Sequence, residues 1–148
     1  MNRLAKFARL SGPDRLLFLE AALWLGIARL GILIIPFRRI APFLGKHMAE
    51  SPLSMEPTHR NHVERISWAV QTASRHMPWE STCLAQAMAA KGMFKLRGIQ
   101  STIYLGLAKD GEEELTAHAW LRSGDVTVVG TRGNDRFTVV STFAGEKP

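Results

Sequence analysis

A single cysteine, Cys83, stands in 148 residues, so no disulfide forms within the chain and a reducing, cytosolic setting is the expectation. Of the five histidines, His59 and His62 are three residues apart, yet no cysteine or carboxylate beside them completes a metal-ligand set, and no metal or other cofactor is expected. Internal repeats and low-complexity tracts are lacking. So are an arginine-rich recognition helix and the aromatic-basic interleaving of single-strand binders, which puts nucleic acid last among partners. The basic start, Met1 to Lys6, is interrupted by Ser11-Gly12-Pro13-Asp14 and followed by no small-residue cleavage site, so a secretory signal is not expected. Carboxylates are scarce at one end only. Residues 1–47 hold Asp14 and Glu20 against eight Lys/Arg, residues 48–148 balance eleven of each sign, and the whole formal charge of +6 therefore lies in the N-terminal third. A positive end of this kind attracts anionic lipid, an acidic protein surface or nucleic acid.

What is present suffices for one domain with a sizeable core, since 46% of the residues are hydrophobic. Residues 13–35 read as a helix: Ser11 or Gly12 caps it, Pro13 fits the first turn, Asp14 suits the N-terminal dipole and Pro36 stops it. Its apolar run has about the ~20 residues a bilayer crossing needs. Glu20 and Arg29 inside it are costly in hydrocarbon, which favours a core helix, or one docked on a partner or membrane surface, over a span. A short basic helix or turn follows over 37–45, and Glu50 to Pro57 is a polar stretch with two prolines, the mark of a linker or ordered loop. The chain thus divides into a basic, apolar helical region over 1–50 and a core over 58–148.

In that core, Val63, Ile66, Ala69, Val70, Ala73 and Met77 recur at helical spacing after a cap at Thr58 or Asn61, and Pro78 ends the segment. Thr82 is placed to cap a further helix over Cys83 to Leu96, stopped by Gly98. The period then changes to two. Strands are expected over 101–107, 114–121, 126–129 and 137–142, with turns at Lys109 to Glu112 and at Ser123-Gly124. Helices first and an antiparallel meander after give an α+β fold.

Cys83 therefore opens a helix, where unpaired backbone N–H groups and the peptide dipoles favour a thiolate, and His118 lies on an expected strand. One cysteine and one histidine brought together are the minimal kit of a cysteine hydrolase; the ordinary alternatives are a buried inert cysteine and a satisfied strand histidine.

Pro78-Trp79-Glu80-Ser81-Thr82-Cys83-Leu84, with Arg65 to Val70 before it and Leu96-Arg97-Gly98-Ile99, Leu105-Gly106 and Ala117-His118-Ala119-Trp120-Leu121 after it, resembles the transglutaminase-like leader peptidases of lasso-peptide biosynthesis, in the form of the stand-alone protease half of the split B protein. The long apolar helix followed by Pro36-Phe37-Arg38-Arg39 is similar to that family as well. The resemblance implies a transglutaminase/papain-like core with a nucleophile-bearing helix packed on an antiparallel sheet. It implies a cytoplasmic cysteine protease that cuts the leader from a precursor peptide, freeing an amine for a separate ATP-dependent lasso cyclase. Its partners would be the precursor leader and a small leader-binding recognition protein. The basic residues 1–47 themselves suit docking to that partner, to the cyclase or peripherally to a membrane, and the residues do not choose among the three.

By similarity Cys83 is the nucleophile and His118 the general base and acid, with backbone N–H groups at the helix start as oxyanion donors. Gln86, one turn on, either orients a neighbour or is only a polar helix residue. Family members often carry an aspartate about twelve residues after the histidine, and that position here is Gly130. With a Ser123-Gly124 turn, His118 would pair with Val129 and Asp125 with Arg122, leaving Asp125 roughly 13 Å from the histidine, where it helps shape the turn. Asp135, in the loop after Thr131, is the other carboxylate placed to swing in. Failing both, a backbone carbonyl or water orients His118, and the alternative function is a catalytically incomplete scaffold that binds the precursor or its leader-binding partner.

Overall fold

The computed structural model describes residues 8–48, 50–51, 57–76, 82–110, 114–130 and 138–144. Helix α1, Gly12–Ile34, starts where several local signals coincide: Ser11 is extended, its Oγ accepts the Asp14 N–H at 3.3 Å, and Pro13 occupies the first turn. It ends as Ile35 becomes extended ahead of Pro36. Leu17, Ala21, Leu25 and Ala28 are buried along one side, while Asp14 reaches Arg65 at 3.0 Å and Glu20 reaches Arg97 at 2.7 Å. The Arg65 guanidinium, helped by the Ser11 hydroxyl, holds the Asp14 carboxyl below its usual range, and Glu20 pushes Arg97 up.

Helix α2, Phe37–Leu44, buries Ile40 and Leu44. Helix α3, Pro57–His76, begins at Pro57, ahead of either expected cap, because proline fits a first turn whose N–H has no helical partner. Its inward stripe is Val63, Ile66, Ala69, Val70 and Ala73, as the spacing requires; Met77 and Pro78 lie outside the described residues. Helix α4, Cys83–Leu96, starts on Thr82, whose Oγ1 accepts the Ala85 N–H at 3.2 Å. It stops at Gly98, where φ is +69°.

Among the described residues five antiparallel strands lie in the order β1-β5-β2-β3-β4: β1 Lys46–His47, β2 Thr102–Asp110, β3 Glu114–Ser123, β4 Val126–Val129 and β5 Thr138–Ala144. The expected meander is corrected here. The last strand crosses back to pair with β2, Phe143 opposite Ile103, because that register buries its apolar end over the core. His47 is in β1 opposite Phe143.

The β3–β4 register is corrected too. Ser123 pairs with Val126, so the turn is Gly124-Asp125 with Gly124 at φ +58°, and an irregularity between Leu121 and Arg122 sets Val129 opposite Leu121, not His118. One apolar core takes Leu17, Leu25 and Leu44 from the first stretch of chain and Ile66, Phe94, Ile103, Leu121 and Phe143 from the second. Each such leucine or phenylalanine withdrawn from water contributes roughly 1.5–3 kcal/mol.

Candidate active site

The capped start of α4 meets the sheet where β4 stops. Beyond Val129 no strand pairs with β3 on that side among the described residues, and the Ala119 N–H donates to Cys83 Sγ at 3.3 Å. With one peptide link between Ala119 N and the His118 Cα, the sulfur lies within about 6 Å of that Cα. Cys83 is half-buried, accessible to a reactant without being fully solvated.

His118 Nε2 lies 3.4 Å from the carbonyl oxygen of Gly130. A carbonyl only accepts, so the bond needs a ring proton on Nε2, and in the neutral imidazole the lone pair is then on Nδ1. Gly130 has φ +79°, and a Cβ built there would stand 2.7 Å from both the Ala119 oxygen and the Trp120 Cβ. Glycine is thus required by conformation and by space, and the backbone at this position supplies the acceptor that a side chain would otherwise bring.

Sequence reasoning missed an aromatic row beside the histidine. His118, Trp120 and Arg122 share one face of β3 by alternation. The His118 and Trp120 rings stack at 5.8 Å, and Trp120 stacks on Tyr104 of β2 at 5.5 Å. The Tyr104 hydroxyl donates to Glu50 Oε1 at 2.8 Å and accepts from Arg122 Nε at 2.9 Å; burial pushes its pKa up. Arg122 also donates to the Ser51 and Gly124 carbonyls at 2.9 and 2.6 Å, tying the row to the chain before α3. The Ala-His-Ala-Trp spacing was the available signal for the first pair, but Tyr104 joins only through the β2–β3 register.

Among the other expected residues, Gln86 sits half-buried on the first turn of α4, one turn from Cys83. Asp125 lies in the β3–β4 turn and pairs with Arg60 at 3.0 Å on the surface. Asp135 and Trp79-Glu80-Ser81 fall outside the described residues. No group of three or more His, Cys, Asp and Glu suited to a metal occurs among the described residues.

A cysteine on the first turn of a helix, set against a strand that bears a histidine, within an α+β core, is an arrangement that suits a transglutaminase-like protein. Residues 31–142 match the model of the transglutaminase-like superfamily, and the chain belongs to that superfamily. No curated protein and no solved structure matches the chain.

Proposed function

We propose that the chain is a cysteine peptidase that cuts the leader from a lasso-peptide precursor, so that a separate cyclase closes the macrolactam. Superfamily membership, which embraces cysteine proteases, supports the reaction class, and the observation that carries the reading is Cys83 Sγ held at the Ala119 amide, next in the chain to His118. The resemblance of the Pro78 to Leu84 and Ala117 to Leu121 motifs supports the substrate class.

In this mechanism His118 takes the proton from Cys83 Sγ, and the thiolate adds to the scissile carbonyl. Backbone N–H groups at the start of α4, with that of Cys83, hold the developing oxyanion. The imidazolium then gives its proton to the departing amine as the C–N bond breaks, leaving an acyl thioester on Cys83. A water, deprotonated by the same imidazole, displaces the sulfur and releases the leader acid. The Gly130 carbonyl keeps the Nε2 proton in place, a role that needs no third side chain. The leader arrives on a small recognition protein, as the split form of the family implies.

The test is precursor mass in the presence of the leader-binding partner. Cys83→Ala and His118→Ala should each lower cleavage by about 10³-fold or more with little change in the melting temperature. Cleavage unchanged in Cys83→Ala would remove the nucleophile assignment.

One observation favours a second reading. Gly130 has no room for a carboxylate, so a scaffold that holds the precursor or its carrier for another enzyme needs no triad at all. Under that reading, Cys83→Ala leaves maturation of the precursor untouched and its binding intact.

A further inference from the structure

The outer side of α1 is unlike its inner side. Leu16, Leu19, Leu23, Ile27, Leu30 and Ile34 recur at three and four residues, opposite the buried Leu17, Ala21, Leu25 and Ala28, and each is 52–70% exposed. The ridge runs about 27 Å along the helix. A contiguous apolar surface of that length is uncommon unless something covers it.

Charge narrows what covers it. The two carboxylates of residues 1–47 are both occupied in ion pairs, Asp14 with Arg65 and Glu20 with Arg97. Arg9, Arg15, Arg38 and Arg39 remain exposed. At one edge of the ridge an open cavity of about 480 Å³ lies between α1, α2 and α4; its lining is mostly apolar, with Arg39, Lys95 and the buried Lys91 and no carboxylate. The surface therefore joins an apolar ridge, an apolar recess and cations of a single sign.

We propose that α1 and α2 form a docking surface for an anionic lipid bilayer, with α1 lying in the plane of the headgroups, its ridge in the acyl boundary and the flanking arginines on lipid phosphates. The inner side of α1 fixes the in-plane orientation, since a transverse helix would pull Leu17 and Leu25 out of the core and break the Glu20–Arg97 pair. A second copy is a poor occupant: it would set one cationic rim against another with no carboxylate to meet it. An acidic protein satisfies the charges but does not call for a recess beside so long a ridge. The inference is independent of the cleavage reading and is tested without it.

Flotation of the full chain with phosphatidylcholine–phosphatidylglycerol vesicles, against phosphatidylcholine alone, is the experiment. The chain should float with the anionic vesicles only, and less at high salt. Leu23→Gln/Leu30→Gln, both at exposed sites, should keep the melting temperature and lose flotation. Arg38→Gln/Arg39→Gln should lower vesicle affinity by about tenfold or more. A chain that stays in the dense fraction with anionic vesicles, or a Leu23→Gln/Leu30→Gln variant that floats as well as the parent, overturns the proposal. So does a lipid-free dimer in light scattering that the same double variant dissolves, which would give the ridge to a second copy. Binding to poly-glutamate without vesicle binding would give it to an acidic protein.

Discussion

His118 points Nε2 at the main-chain oxygen of Gly130, 3.4 Å away, and the residue that offers this oxygen is one that no side chain can replace. The left-handed backbone at φ +79° and the 2.7 Å approach to Ala119 and Trp120 both exclude a Cβ.

Adding an aspartate there should consequently fail to build a triad. Gly130→Asp and Gly130→Ala should both destabilise the protein, by about 1–3 kcal/mol, through the same strain and crowding. Urea unfolding of the two variants, with precursor cleavage alongside, checks this; a Gly130→Asp variant more stable or more active than the parent would contradict it.

Gly92 makes a second case where an ordinary rule reverses sign. Glycine to alanine inside a helix normally gains about 0.5–1 kcal/mol. Here the added Cβ would sit 2.6–2.8 Å from the Trp24 ring, which crosses α4 at this point. Gly92→Ala should lower stability by about 1–3 kcal/mol, and Trp24→Leu in the same chain should recover part of the loss. Thermal melts of the two single variants and the double variant measure the coupling, and simple additivity would refute the contact.

Lys91 is 2% exposed, and its Nζ donates to the Ser101 carbonyl at 2.6 Å and to Ser101 Oγ at 3.2 Å. Burial, with Lys95 as a lesser cause, brings its pKa down from 10.5 to about 7. Below that value both folded and unfolded chains are protonated, and the full cost of the buried charge is felt. Between about pH 7 and 10.5 the unfolded chain holds a proton that the folded chain has released, so stability should rise with pH across this window and level off above it. The rise should amount to a few kcal/mol relative to Lys91→Met, which lacks the titration. Denaturant unfolding of both proteins from pH 6 to 10 should show the difference, and parallel profiles would refute it.

The local signals are legible in the residues themselves: the Ser11 and Thr82 caps, the Pro36 and Gly98 stops, the inward stripe of α3, and a cysteine on the first turn of a helix. Each is set by residues within one or two turns of each other, where side-chain chemistry and backbone dihedrals act directly. A turn placed one residue early was enough to mispair β3 and β4, because strand periodicity carries no record of an irregularity such as the one at Leu121 and Arg122.

Chain order and composition by themselves determined an α+β protein with its cysteine on a helix tip, its histidine on a strand and all of its excess positive charge at one end. Folding decided what those features face. It carried β5 across to β2, set the Ala119 amide against the sulfur, and gave His118 a main-chain oxygen where the family pattern suggested a carboxylate. It also divided α1, apolar on nearly every side in sequence, into a buried side and an open ridge. Hydrophobicity says that a side chain leaves water if it can; only the packing of distant elements fixes which side has a neighbour to leave it for.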